Sequence, residues 1–173
     1  MKRRGFLTAA AGATLSATLG GCGYHVAGRA DLLPKTLRTI AVPAFANNTP
    51  RYRLADRLAQ SITREFISRT RYQIVSDPTQ ADAVLEGGVV NILTVPITFS
   101  TNTTGVQIHV FLRVTLRERA TGKALYENPS LEYRERYEIA TDPVAYFEES
   151  DAALDRLTRQ VGASVVSAVL EAF

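Results

Sequence analysis

The strongest constraint on the fold is a strict alternation of side chains between positions 106 and 117. The aliphatic positions are Val106, Ile108, Val110, Leu112, Val114 and Leu116. They alternate with Gln107, His109, Phe111, Arg113, Thr115 and Arg117. A period of two is that of an extended strand, which points successive side chains to opposite faces of a sheet. The sequence therefore predicts a strand with one face on a core and the other face wet or bound.

The residues around this strand predict antiparallel partners on both sides. Thr121-Gly122-Lys123 is typical of a hairpin turn, and a return strand is expected to run to about Ile139. Its two faces are Leu131, Tyr133, Tyr137 and Ile139 on one side, and Glu132, Arg134, Arg136 and Glu138 on the other. Pro129 interrupts this strand, which indicates an edge position or a bulge.

A third long strand is predicted upstream, over residues 81–95. Gly87 and Gly88 within it indicate either a bulge or a close approach of another part of the chain. Residues 96–105 are rich in Thr, Ser and Asn, and we expect them to form a mobile hairpin tip.

Two helices are predicted from a period of three to four. In the first, over residues 51–69, the apolar face is Leu54, Leu58, Ile62 and Phe66. Its other side carries Arg53, Arg57, Gln60 and Arg64, which are either a solvated face or, less simply, a contact for lipid phosphates. Side chains of residues 47–50 are expected to cap its first N–H groups. The second helix is expected to start at Asp142-Pro143, with an apolar stripe of Phe147, Leu154, Leu157, Val161, Val165 and Ala168.

Two shorter strands complete the predicted secondary structure, at residues 39–43 and 72–75. The first is almost continuously apolar, so we expect it to be buried on both faces or central in a sheet. Pro43 either ends it or puts it at an edge. The order strand, helix, several antiparallel strands, helix favours an α+β fold. We expect a two-layer sandwich with a mostly antiparallel or mixed sheet of about four to five strands and both helices on one face.

The N-terminus has the layout of a secretory signal that ends in a cysteine. Lys2, Arg3 and Arg4 precede an uncharged run that reaches Gly21, and Leu19-Gly20-Gly21 leads directly into Cys22. This order is typical of a bacterial lipobox, where lipid is attached to the cysteine and the chain is cut before it. The alternatives are a transmembrane anchor, for which the run is short and rich in Ala and Gly, and a buried cysteine.

This signal predicts the domain organisation of the chain. Residues 1–21 are expected to be removed, residues 22–36 to form a lipidated tether, and residues 37–173 to form a single domain. Arg3-Arg4 also resembles a twin-arginine export signal, and an ordinary basic start is an equal alternative.

The charge balance argues against a nucleic-acid partner. The chain has 20 basic and 17 acidic residues, but three of the basic ones lie in the signal, so the mature chain has 17 of each. Its first part, to Arg71, carries an excess of six positive charges, and the remainder an equal negative excess. The basic-domain criterion for nucleic-acid binding is therefore not met, and the asymmetry indicates either an anionic partner or self-complementary surfaces.

Catalytic motifs and metal-ligand clusters are absent from the sequence. It has no G-x-S-x-G, no phosphate-binding glycine loop and no H-E-x-x-H. Its two histidines, His25 and His109, are far apart, and Cys22 is the only cysteine. We therefore expect a non-enzyme with no metal and no cofactor other than covalent lipid on Cys22.

Several short stretches resemble the LptE family of lipopolysaccharide-assembly lipoproteins. They are Cys22-Gly23-Tyr24-His25-Val26, Leu33-Pro34, the segment from Thr39 to Asn47, Glu65-Phe66, and Thr121-Gly122-Lys123-Ala124-Leu125. The resemblance implies a palmitate-bearing lipoprotein of a Gram-negative outer membrane, held at the inner leaflet on the periplasmic side. It also implies an LptD-like β-barrel as partner, which the lipoprotein plugs and helps to fold, and lipopolysaccharide as ligand. Gly23 after the cysteine is consistent with outer-membrane sorting.

Candidate contacts for lipopolysaccharide phosphates follow from side-chain chemistry. Arg113, Arg117, Arg134 and Arg136 lie on predicted strands, and a guanidinium can form two parallel hydrogen bonds to a phosphate. The alternative for each is cross-strand pairing with an acid such as Glu132.

A second class of function remains open. The segment from Ile40 to Phe45 and the following helix also resemble periplasmic lipoproteins that activate peptidoglycan synthases or form secretion pores. A synthase activator needs a long linker, whereas residues 23–34 span at most roughly 40 Å when extended. That length favours a partner close to the membrane. A lipid-modified enzyme is a third and weaker alternative.

Overall fold

The computed structural model describes Pro34 and residues 36–100, 103–138 and 143–172. The secondary structure comprises β1 (Thr39–Ala41), β2 (Ala46–Asn47), α1 (Tyr52–Arg69), β3 (Gln73–Val75), β4 (Ala83–Ser100), β5 (Thr103–Glu118), β6 (Ala124–Glu138) and α2 (Pro143–Glu171), with a short 3-10 turn at Pro78–Gln80. Cys22, the lipobox residues before it, most of the tether, Ile139 and Asp142 lie outside the described residues.

The strands form one mixed sheet, which confirms the predicted α+β class. The spatial order is β3-β1-β4-β5-β6, and β2 pairs with β4. β1 runs parallel to β3 and β4, whereas β4, β5 and β6 are antiparallel neighbours. The described sheet has six strands rather than the expected four to five, because the two-residue β2 adds a strand that has no sequence signal of its own.

β1 takes the central position that its apolar run predicts. Ile40 and Ala41 are fully buried, with β3 on one side and β4 on the other. The carboxylate of Asp82 fixes the start of β1, because Asp82 Oδ2 accepts hydrogen bonds from the N–H groups of Arg38 and Thr39 at 2.8 and 2.9 Å. Asp82 directly precedes β4, so these hydrogen bonds join the start of β1 to the start of β4.

α1 confirms the predicted helix almost to the residue. Leu54, Leu58, Ile62 and Phe66 are all buried against the sheet and α2. The predicted N-terminal capping is wrong, since Arg51 occupies the cap position and no side chain accepts from the first helical N–H groups. Asn47 is used instead within the preceding loop, where its amide accepts from the N–H of Thr49 at 3.0 Å and donates to the carbonyl of Arg51 at 3.0 Å.

α2 lies beside α1 and begins at Pro143, as the sequence predicts for that proline. Its buried stripe includes Leu154, Leu157, Val161 and Val165. The two helices come closest at Gly162, where a Cβ atom would lie 2.7 Å from Ser61 Oγ. Arg57 of α1 crosses to α2 and pairs with Asp155 at 3.1 Å and with Asp151 at 3.5 Å.

The β4–β5 hairpin is longer than predicted, and the expected ten-residue tip is wrong. The ladder continues through Pro96↔Val106 and Ile97↔Gly105 to Ser100↔Thr103. Pro96 is tolerated because none of the described strands lies beside this part of β4 on the side opposite β5, which leaves it as an edge where a missing N–H is acceptable. A sequence rich in Thr is as compatible with strands as with a loop, which explains the error.

The two glycines of β4 mark a close approach rather than a bulge. A Cβ atom at Gly87 would lie 2.2 Å from the ring of Phe45, so the ring occupies the space that a side chain would need. The register shift of β4 lies farther along, between Val89 and Asn91. β6 carries the predicted irregularity near Pro129, since Leu112 pairs with Leu131 but Val114 pairs with Asn128.

Candidate functional site

The helices cover one face of the sheet and leave the other face open. All six aliphatic residues of the alternating pattern in β5 are buried on the inner face, as predicted. The residues between them lie on the outer face, opposite the charged positions of β6. The cross-strand pairs are Gln107↔Arg136, His109↔Arg134 and Phe111↔Glu132. This outer face of β4, β5 and β6 is the candidate functional site.

Arg134 is held in a charged cluster on this face. Its Nε and Nη2 donate to the two carboxylate oxygens of Glu132 at 2.8 and 3.1 Å. His109 Nδ1 lies 2.8 Å from Glu132 Oε1. The hydrogen bonds from Arg134, and then those with His109, lower the pKa of Glu132 to about 2. Arg134 thus pairs with Glu132, but along β6 and not across two strands as the alternative weighed from the sequence had it.

Arg117 also has a structural partner. Its Nη1 donates to the carbonyl of Gly122 at 2.8 Å. Gly122 has φ +70°, in the left-handed region that glycine adopts without strain, at the predicted turn between β5 and β6. Arg117 therefore stabilises this turn, and its guanidinium is less available to a ligand than the sequence alone indicates.

Arg113 lines a groove on the outer face. The groove has a volume of about 440 Å³ and is lined by Pro43, Ala44, Ala46, Glu86, Gly87, Arg113, Thr115 and Glu127. Within the described part of the chain, the Arg113 side chain makes no hydrogen bond or ion pair. Two carboxylates line the same groove, which gives it a mixed charge.

Arg136 is the most available of the four candidate arginines. It is exposed, and its side chain has no hydrogen bond or ion pair with any described residue. Its carbonyl accepts from Arg156 Nη2 at 3.4 Å, and Arg156 Nε in turn donates to Glu135 Oε1 at 2.7 Å. The backbone at Arg136 is thereby held against α2.

The structure thus divides the four arginines into two classes. Arg117 and Arg134 have protein partners, whereas Arg113 and Arg136 have none among the residues that the structure describes. The two available residues are not adjacent. Gln107 faces Arg136 and lies six residues from Arg113 on β5, which corresponds to roughly 20 Å along a strand. A single phosphate does not reach both.

The polar side of α1, with Arg53, Arg57, Gln60 and Arg64, includes two arginines with separate contacts. Arg57 pairs with α2, and the Arg53 guanidinium lies 5.5 Å from the ring centre of Tyr52. Of the two interpretations weighed from the sequence, these contacts favour a structural and solvated role over a binding one.

The sequence missed a set of exposed aliphatic residues on β4. Val90, Leu93 and Val95 are 47, 46 and 41% exposed. Residues 89–95 are apolar except for Asn91 and Thr94 and show no strict alternation, so the sequence gives no indication of which positions are covered. Its pairing with the alternating strand β5 supplies that information once the register is known.

Among the described residues no group of three or more His, Cys, Asp or Glu side chains is arranged to hold a metal ion. A membrane-crossing helix is likewise not found within those residues, since neither α1 nor α2 combines the necessary length and apolar character.

Comparison with known proteins decides the family. The model of the LptE lipopolysaccharide-assembly family matches residues 37–169, which is most of the chain. The chain belongs to the LptE family. The match spans the six described strands, all of α1 and all but the last two residues of α2, so the fold described above is that of an LptE-family domain. No curated protein sequence matches this LptE-family chain.

Solved structures confirm the fold of this LptE-family domain. A putative lipoprotein from Caulobacter crescentus is 12% identical with a TM-score of 0.52, over 75% of this chain and 88% of that one. A Xanthomonas campestris protein of the family DUF330 is 14% identical with a TM-score of 0.54, over 80% and 87%. The rare lipoprotein B of Shewanella oneidensis is 12% identical with a TM-score of 0.51, over 77% and 94%. At these identities the likeness concerns the fold alone.

Proposed function

We propose that this LptE-family protein is an outer-membrane lipoprotein, anchored through lipid on Cys22 on the periplasmic side. It associates with an LptD-like β-barrel, assists the assembly of that barrel and takes part in the insertion of lipopolysaccharide. The observation that carries the proposal is the family match over residues 37–169, which follows the segment predicted to be a lipobox and a short tether. We further propose that the protein acts by binding and has no catalytic role.

The open outer face supports a role inside a larger assembly. The six-stranded sheet carries its helices on one side, and none of the described helices covers its other side. That face combines exposed aliphatic residues with two arginines, Arg113 and Arg136, that have no partner within the described part of the chain. A barrel partner would surround such a face, and lipopolysaccharide supplies both phosphates and acyl chains to its residues.

The decisive experiment is an affinity purification of the full chain from detergent-solubilised outer membranes, with bound proteins identified by mass spectrometry. A large β-barrel protein at equal stoichiometry is expected. The matched control is an unrelated lipoprotein that carries the same residues 1–36. Recovery of a peptidoglycan synthase or a secretion-pore component instead of a barrel would contradict the proposal and favour the second class of function.

The anchor is tested separately by metabolic labelling with palmitate. Cys22→Ala is expected to abolish incorporation, because the thiol is the acceptor of the lipid. Labelling that persists in this variant would exclude the lipobox. A variant that stays in the membrane without label would instead indicate a transmembrane anchor.

The tip of the β4–β5 hairpin is the proposed contact with the barrel wall. The segment concerned is residues 99–105, in which the ladder continues to Ser100↔Thr103 and positions 101 and 102 lie outside the described residues. Photo-reactive amino acids at positions 99 and 105 are expected to capture the barrel protein. Failure of both to capture it, with a purified complex in hand, would place the interface elsewhere.

A further inference from the structure

The distal half of the β4–β5 hairpin is unusual in having no charge. Residues 87–112 contain no Asp, Glu, Lys or Arg, although such residues make up 21% of the chain. Three aliphatic side chains in this half, Val90, Leu93 and Val95, are more than two-fifths exposed. Uncharged sequence together with exposed aliphatic groups indicates a surface that contacts something apolar.

The register places aliphatic and cationic side chains on the same face. Leu93 pairs with His109, which pairs with Arg134, and Val95 pairs with Gln107, which pairs with Arg136. Directly paired residues point to the same side of a sheet, so Leu93 and Val95 lie on the outer face with Arg136. Two strand spacings separate the aliphatic row, Leu93 and Val95, from the arginine, which is roughly 10 Å.

The free edge of β4 does not favour an added strand as the occupant. Past Val89, where its pairing with β2 ends, β4 pairs only with β5 among the described residues. The N–H of Ile92 is bonded to Asn91 Oδ1 at 2.8 Å, and Pro96, four residues on and therefore on the same side of the strand, has no N–H. Both features reduce the donors that a pairing strand needs. An apolar occupant needs no hydrogen-bond donors from this edge.

We propose that the aliphatic row is the contact surface for the acyl chains of lipopolysaccharide, with the Arg136 guanidinium directed to a phosphate of the same molecule. This inference rests on the proposed function and assigns its ligand to named residues. A phosphorylated amphiphile presents anionic and apolar groups side by side. The outer face is complementary to such a molecule, because it presents a cationic guanidinium beside aliphatic side chains. Arg136 is available for that phosphate because it has no partner among the described residues, whereas Arg134 is occupied by Glu132.

In-cell photo-crosslinking tests the occupant directly. A benzophenone amino acid is introduced in the full chain at Leu93 or at Val95, in living cells. The matched control is Gln60, exposed on α1 and away from the outer face. A lipopolysaccharide adduct at 93 and 95, but not at 60, is the expected result.

Other adducts would overturn the assignment. Capture of the barrel protein alone at 93 and 95 would make the row a protein interface. Capture of phospholipid alone would make it a membrane contact. Absence of any adduct at both positions, while the barrel still co-purifies with the protein, would show that the inference fails although the proposed function stands.

A binding measurement separates the acyl chains from the phosphates. The full-length protein in lipid nanodiscs is titrated with rough lipopolysaccharide and with the same material after removal of its acyl chains. Val95→Asp is expected to weaken binding of the acylated form about tenfold, which corresponds to about 1.4 kcal/mol. Thr94→Asp, at an equally exposed neighbour that points to the other side of the strand, is expected to leave binding unchanged.

The deacylated ligand gives the opposite pattern. Its weaker binding is expected to be insensitive to Val95→Asp and to fall with Arg136→Gln. Equal sensitivity of both ligands to Val95→Asp would overturn the acyl assignment. If the unchanged protein binds neither form, the proposed function itself fails, and that result is distinguishable from a failure of the row alone.

Discussion

The two ends of the β4–β5 ribbon differ in what surrounds them. One end, which we call the root, comprises residues 83–89 of β4 and 112–118 of β5. There β1 and β2 pair with the edge of β4, and both helices contribute to the buried core. Beyond Val90 the described part of the chain supplies β4 with a partner on one side only, and Leu93 and Val95 are exposed. The root is stabilised by the core, and the distal half is the surface proposed above for another molecule. Substitutions at the two ends should therefore differ in kind, since root changes unfold the protein and distal changes alter binding.

The largest effect is expected at the centre of the root core. Phe66 is fully buried between α1 and the sheet, so Phe66→Ala leaves a cavity and is expected to lower the free energy of unfolding by about 3–5 kcal/mol. Urea unfolding followed by circular dichroism measures this difference. Ile67→Ala is the control. The side chain of Ile67 is 62% exposed, so its truncation should change the free energy of unfolding by less than about 0.5 kcal/mol. Comparable losses for both variants would show that the helix face is misassigned.

The root also accounts for most of what the sequence predicts correctly. Leu54, Leu58, Ile62 and Phe66 recur at helical spacing, and the six aliphatic residues of β5 recur at strand spacing, so burial on one face follows directly from periodicity. The distal hairpin has no comparable pattern. Thr and Pro favour loops as strongly as edge strands, and only the register with β5 shows that the ladder continues past Pro96.

The candidate site was predictable only in part. Periodicity places all four arginines on the outer face, but it does not show which of them have partners. The hydrogen bond from Arg117 to Gly122 bridges five residues across a turn, and the Arg134–Glu132 pair forms along one strand rather than across two. Such contacts depend on rotamers and local bulges. The exposed aliphatic row has the same limitation, because exposure depends on which strand lies beside β4.

A smaller loss is expected at the contact between the two helices. Gly162→Val would place a Cβ atom 2.7 Å from Ser61 Oγ and 3.1 Å from the Ser61 backbone. The helices must separate to relieve this overlap, which should cost about 1–3 kcal/mol. Ala152→Val, at an exposed position of α2, controls for the lower helix propensity of valine. Equal losses in urea unfolding would mean that propensity, and not the close approach, explains the effect.

A pH-dependent effect is expected at Asp82, which joins β1 to the root of β4. Hydrogen bonds from the backbone N–H groups of Arg38 and Thr39 lower the pKa of this carboxyl from its ordinary value of 3.8. A lowered folded-state pKa means that the carboxylate stabilises the fold fully above pH 3.8 and loses this contribution as the pH falls below it. Asp82→Asn should cost about 1 kcal/mol at pH 7, because the site is only partly buried.

The pH profile of unfolding tests this assignment. The difference in unfolding free energy between the unchanged protein and Asp82→Asn is expected to be constant from pH 7 to about pH 5 and to shrink below pH 3.8. Glu86→Gln, on the same strand and exposed, is the control. A difference that grows as the pH falls would contradict the sign of the pKa shift.

The smallest effect is expected at Glu132, the distal counterpart of Asp82. Its pKa of about 2 results first from the hydrogen bonds of Arg134, which is a side chain and not a fixed backbone group. The contribution to stability is present above the ordinary value of 4.5 and is lost as the pH falls toward 2. Because the cluster is solvent-exposed, salt screens its charges, whereas the backbone hydrogen bonds of Asp82 are screened less. Glu132→Gln should therefore shift the urea midpoint slightly in low salt and not at all in about 1 M NaCl, while the shift for Asp82→Asn persists. A Glu132→Gln shift that survives high salt would show that the outer face contributes to the stability of the fold as the root does.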